Sequence, residues 1–134
     1  MDRNRLVIVV DDQPSLCSAV AGVLASAGYT VKTFASAEEL LRSGVVGAGC
    51  VVLDVALPGM NGFEAHQHLQ SASECPAVIF YSGLEDPDGR LRTLALRAGA
   101  LAFLQKPFDS DELLEAVTRA CGRRARKGCA AARP

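Results

Sequence analysis

The sequence predicts an α/β domain built on a doubly wound, five-stranded parallel sheet with helices on both faces. Apolar runs recur along the chain, and several stop abruptly at a polar residue. Segments with helical spacing lie between them. Five strands alternating with five helices, joined by right-handed crossovers, put one set of helices on each face.

Leu6-Val7-Ile8-Val9-Val10 reads as the first strand and stops at Asp11-Asp12. A run of this length without alternation suits a strand buried on both faces. The first helix opens at Pro14, a residue favoured at a first helical position. Leu16, Val20, Val23, Leu24 and Ala27 follow at helical spacing, and Gly28 is the stop. Between Tyr29 and Phe34 the pattern is mixed, with Thr30, Lys32 and Thr33, as on a more exposed edge strand. Ser36-Ala37-Glu38-Glu39 has the form of a capping box before Leu40-Leu41.

Cys50-Val51-Val52-Leu53 is the third strand and stops at Asp54; a third helix starts near Asn61 and runs through Phe63 and Leu69. Ala77-Val78-Ile79-Phe80-Tyr81 is the fourth strand and stops at Ser82. A fourth helix spans roughly 87–98, with Leu91, Leu94, Ala95 and Ala98 apolar and Gly99 closing it. Leu101-Ala102-Phe103-Leu104 leads through Gln105 to Lys106, and Asp109-Ser110-Asp111-Glu112 caps a last helix carrying Leu113, Leu114 and Val117.

The 134 residues fit one domain over 1–122, followed by a basic tail at 123–134 that reads as disordered. All 15 acidic residues lie at or before Glu115, whereas six of the 14 basic ones lie from Arg119 onward. That asymmetry leaves the domain acidic and its end basic, suited to solvation more than to DNA. The five cysteines, Cys17, Cys50, Cys75, Cys121 and Cys129, form no CxxC pair and read as small hydrophobes. Cys129 in the tail is the exposed thiol expected. No apolar run is long enough to span a membrane. The N-terminus is too short and acidic for a secretory signal, so a cytoplasmic location with no membrane partner is expected.

In an open α/β sheet, ligands bind beyond the carboxyl ends of the strands. Asp11, Asp12 and Asp54 end the first and third runs and converge if those strands are neighbours. Carboxylates crowded together repel, and a hard divalent cation such as Mg²⁺ removes the conflict. Lys106 and Ser82 flank the same cleft with a point charge and a hydroxyl, partners for phosphoryl oxygens. Asp54 is then a carboxylate nucleophile. His66 and His68, two apart on a helix, do not share a face and read as exposed polar residues.

The acid pair after the first strand, Asp-Val-Ala-Leu-Pro-Gly-Met-Asn-Gly at 54–62, Ser82-Gly83 and Lys106-Pro107-Phe108 together resemble the receiver domain of two-component response regulators. The stretch from Arg90 to Phe108 resembles receivers of the nitrogen-fixation and nitrate-response regulators. The resemblance covers about residues 5–120 and implies a flavodoxin-like sheet of order 2-1-3-4-5. It implies Asp54 as phosphoacceptor, Asp12 as a direct Mg²⁺ ligand, Asp11 acting through water, and the Ala56 carbonyl completing the protein ligands. Lys106 would bind the phosphoryl group, preceding a cis Lys106–Pro107 bond. Ser82 and Phe103 would be the switch residues, remodelling the surface around the fourth helix and fifth strand. Phe103 lacks the hydroxyl of the Tyr frequent there, so its switch would be steric.

The implied partners are a sensor histidine kinase or phosphotransfer protein, an output domain or protein on the fourth-helix and fifth-strand face, and a second copy in a homodimer. Thr93 and Arg97 lie on that helix. The implied activity is self-phosphorylation and self-dephosphorylation, with no external substrate turned over. A dehalogenase-type phosphatase would carry its nucleophile on the first strand as Asp-x-Asp-Gly, which Asp11-Asp12-Gln13-Pro14 is not. A pseudo-receiver would lack an acid or the lysine. A flavodoxin-like FMN carrier would not set three acids against the FMN phosphate. The segment after residue 122 is too short for a helix-turn-helix.

Overall fold

Period and propensity divide the chain into alternating strands and helices. The computed structural model describes residues 5–71 and 75–122. The basic tail at 123–134, with Cys129, lies outside the described residues. In chain order the elements are β1 Leu6–Val10, α1 Pro14–Ser26, β2 Thr30–Phe34, α2 Ala37–Ser43, β3 Ala48–Asp54, α3 Gly62–Gln70, β4 Ala77–Ser82, α4 Arg90–Arg97, β5 Ala102–Gln105 and α5 Ser110–Cys121. The strands form one parallel sheet of order β2-β1-β3-β4-β5, as expected. Among the described residues no helix is long and apolar enough to cross a membrane.

Strand alternation sorts the core into two layers. Ile8, Val10, Val51, Leu53, Val78 and Phe80 face α2, α3 and α4 through Ala37, Leu40, Ala65, Leu69 and Ala95. Val7, Val9, Cys50, Val52, Ile79 and Tyr81 face α1 and α5 through Val20, Leu24, Leu113 and Val117. Every residue of β3, the central strand, is buried, whereas β2 at the edge has none that is.

Local chemistry sets the element ends. Pro14 begins α1 behind Gln13, which gives no side-chain cap. Gly28 ends the turn after α1 at φ +96°, a conformation glycine adopts without steric cost. Ser36 Oγ accepts from the Glu39 N–H, but Glu39 reaches back to the Ala35 N–H rather than to Ser36, so the predicted capping box is only half closed. A complete capping box occurs at α3, between Asn61 and Glu64.

The structure corrects three readings of the sequence. Helix α4 is shorter than expected, because the Asp86 carboxylate holds the N–H groups of Leu91 and Arg92 and the chain turns at Gly89. Leu94 is half exposed, so the apolar side of α4 that packs inward is carried by Ala95 and Leu91. His66 is buried, only 2% exposed, with its ring edge-on to Phe80 at 5.3 Å; His68 alone is exposed. The face of α3 that carries Ala65 and Leu69 turns inward and takes His66 with it.

Among the described residues the buried His66 Nδ1 has no hydrogen-bond partner, and burial lowers the pKa of the ring below its ordinary value of 6.5. The unfolded chain therefore binds the proton first as pH falls. The stability tied to neutral His66 is complete above about pH 6.5 and lost as pH falls toward the folded pKa. Urea midpoints measured from pH 7.5 to about 5.5 are expected to fall in the native protein and to fall less in His66→Leu. Parallel pH profiles would show that His66 carries no such dependence.

Candidate functional site

The carboxyl ends of β1, β3, β4 and β5 meet at one rim of the sheet because all are parallel. β1 and β3 are neighbours, so Asp11 and Asp12 after β1 come beside Asp54 at the end of β3. One carboxylate oxygen from each of Asp11, Asp12 and Asp54 lies within 4.8 Å of the others. Asp11 and Asp54 are buried and Asp12 is exposed, so the cluster opens to solvent on one side. Hard oxygen donors of this kind fit a small divalent cation better than a soft one.

Lys106 reaches this rim from the end of β5. Its backbone N–H donates to the Ser82 carbonyl at 2.8 Å. Its Nζ lies 3.3 Å from Asp11 Oδ2 and 3.2 Å from Asp54 Oδ2, spanning the two buried carboxylates. The Lys106–Pro107 peptide is cis, as the resemblance implies.

The remaining oxygens are held by backbone and phenol. Asp11 Oδ1 accepts the Gln13 N–H at 2.8 Å, and Asp54 Oδ1 accepts the Ala56 N–H at 3.1 Å. Asp11 Oδ2 also accepts the Tyr81 hydroxyl at 2.6 Å. Tyr81 is the residue of this cluster that the sequence reading passed over. A tyrosine enclosed in an apolar strand needs a partner for its hydroxyl, and that need is the signal that could have found it.

The loop after Asp54 is fixed from two sides. Glu38 of α2 accepts the Met60 N–H at 2.9 Å. Gly62 at the start of α3 packs so closely beneath β3 that a Cβ there would collide with the Asp54 carbonyl oxygen.

Ser82 is fully buried, and its Oγ accepts the Leu84 N–H at 3.0 Å, serving its own loop. The Gln105 amide donates to the carbonyls of both Ser82 and Leu84, at 3.1 and 2.6 Å. Phe103 lies in the core layer of the opposite face, with the Arg92 guanidinium 5.4 Å from its ring centre. An apolar groove of about 380 Å³ opens beside Lys106 between α1 and α5, lined by Leu16, Val20, Val23, Phe108 and Leu113.

Burial raises the Asp54 pKa above its ordinary value, against the lowering effects of the Ala56 N–H and the Lys106 charge. Burial, the bond to Asp11 and the neighbouring carboxylates raise that of Tyr81, which stays a neutral donor.

A family model described as the response regulator receiver domain matches residues 7–118. The response regulator protein TmoT of Ectopseudomonas mendocina is 34% identical over 120 residues, covering 89% of this chain and 54% of the relative. The transcriptional regulatory protein FixJ of Azorhizobium caulinodans is 37% identical over 129 residues, covering 96% of this chain and 60% of the relative. The chain thus spans about half the length of the curated relatives it matches. The crystal structure of a response regulator receiver protein from Burkholderia phymatum superposes with a TM-score of 0.74 at 36% identity, covering 90% of this chain and 97% of that one.

The raised pKa of Asp54 means that its ionised form destabilises the fold, fully so above the folded pKa and not at all below the unfolded value of 3.8. In metal-free buffer at pH 7.5, Asp54→Asn is expected to raise the thermal midpoint. The gain should shrink toward pH 4. Calorimetric scans at both pH values check it, and a lower midpoint at pH 7.5 would reverse the assigned sign.

Proposed function

The chain belongs to the response regulator receiver domain family, the signalling switches of two-component systems, and from that premise we propose that Asp54 accepts a phosphoryl group from a phosphohistidine. The observation that carries this reading is the Lys106 ammonium set between Asp11 and Asp54, with Asp12 beside them. The set combines a nucleophilic carboxylate, a cation for the phosphoryl oxygens and an acidic pocket for a divalent ion.

The Asp54 carboxylate attacks phosphorus, the phosphorus–nitrogen bond of the donor breaks, and the ring, already protonated on its other nitrogen, leaves as neutral imidazole. Asp12 and Asp54 would hold Mg²⁺ directly, Asp11 would hold it through water, and the Ala56 carbonyl would complete the protein ligands; the ion would supply positive charge beside the transferring group. Lys106, at 3.2 Å from Asp54 Oδ2, moves onto a phosphoryl oxygen once one is attached. The Ser82 hydroxyl leaves the Leu84 N–H for another phosphoryl oxygen, and Phe103 answers sterically. The chain turns over no external substrate; it loads and unloads itself.

The donor, a sensor histidine kinase or phosphotransfer protein, approaches over the apolar groove beside Lys106. The α4 and β5 face, where Leu94 and Leu96 are exposed, carries the output to a further domain, a protein partner or a second copy of the chain. The domain takes in residues 1–122 and works in the cytoplasm.

Incubation with acetyl phosphate and Mg²⁺ is expected to add one phosphoryl group by intact mass, and Asp54→Asn to add none; labelling of the Asn variant would refute the assignment. Lys106→Ala is expected to keep binding Mg²⁺ but to lose most of the phosphorylation-induced amide shifts. Equal shifts in both proteins would remove Lys106 from the switch.

A further inference from the structure

Tyr81 is the penultimate residue of β4 and is wholly enclosed. Its ring lies 5.6 Å from Phe108 and 4.5 Å from the Lys106 ammonium. Its hydroxyl donates to Asp11 Oδ2 at 2.6 Å, the oxygen that Lys106 reaches at 3.3 Å. With the Gln13 N–H on Oδ1, the Asp11 carboxylate is gripped by donors from three separate places in the chain. We infer that Tyr81 is a positioning residue for the metal pocket, acting through Asp11 by fixing the orientation in which that carboxylate faces Asp12 and Asp54. The inference rests on the reading of the pocket given under Proposed function.

The packing of β4 does not require a hydroxyl. Val78, Ile79 and Phe80 precede it, and all are apolar and buried. A buried hydroxyl costs stability unless it finds a partner. This one has a charged partner, at the short distance typical of O–H···O⁻ bonds.

The identity of the second donor on Oδ2 makes the phenol matter. Lys106 is shared between Asp11 and Asp54 and is the group that must follow an incoming phosphoryl oxygen. When it moves, Asp11 loses a donor. The phenol is anchored by its ring in the core and cannot follow, so Asp11 keeps its orientation. Partners that orient a carboxylate near a metal typically account for 10- to 100-fold in affinity.

The test is Mg²⁺ binding to the full chain by titration calorimetry, with no phosphodonor present. Four proteins are compared: native, Tyr81→Phe, Asp11→Asn and the double variant. Tyr81→Phe keeps the ring and is expected to weaken binding about tenfold, the low end of the range for such partners. In the Asp11→Asn background it is expected to change nothing further, because the effect passes through Asp11. Affinity within twofold of native, or an equal loss in both backgrounds, would overturn the inference.

A second readout needs no variant. Added Mg²⁺ is expected to shift the ring resonances of Tyr81 and to leave those of Tyr29, bonded far away to Thr118, in place. Unmoved Tyr81 resonances would also overturn it. Native protein that binds no Mg²⁺ at all would instead refute the reading of the pocket, and the inference with it.

Discussion

The Lys106 ammonium between the carboxylates of Asp11 and Asp54 is the contact on which the rest of the site depends. Parallel neighbours β1 and β3 bring acids together by topology alone, with no regard for their mutual repulsion. A cation delivered from β5, three places along the sheet from β1, answers it. A salt bridge of this kind is weak evidence for net stability, since desolvating each charge offsets much of the attraction. Its value here is geometric. It holds the Asp54 carboxylate and its compensating charge a few ångströms apart.

That dependence explains why so much of the surrounding chain is local reinforcement. Asp54 is held by the Ala56 N–H, and the loop that supplies it is held by Glu38 at Met60 and by the tight fit of Gly62 beneath the strand. Asp11 is held by Gln13 and Tyr81. Neither acid is left to find its orientation by rotamer chance.

Much of this was legible in the sequence for one physical reason. Strands buried on both faces are apolar throughout, so Asp11, Asp54, Ser82 and Lys106 stand out as the polar residues that close them. The same uniformity hid Tyr81, whose apolar ring satisfies the pattern of β4 while its hydroxyl does separate work. His66 misled in the opposite sense. A polar residue type suggested exposure, but the inward face of α3 carries it against Phe80. Leu94 shows the limit of periodicity in an eight-residue helix, where two turns give the apolar stripe too little length to fix its direction. The capping box at Ser36 was half right because Glu39 had a second backbone N–H, that of Ala35, within reach.

The two hydrogen bonds from the Gln105 amide have a consequence for any change at the rim. One side-chain amide grips the carbonyls of Ser82 and Leu84, and these two residues bracket the turn leaving β4. The Ser82 backbone is therefore coupled to that of Leu84. Displacing it drags on Leu84 through the same nitrogen, and both bonds must loosen in concert. A single glutamine thus ties the two ends of the turn to the last residue of β5.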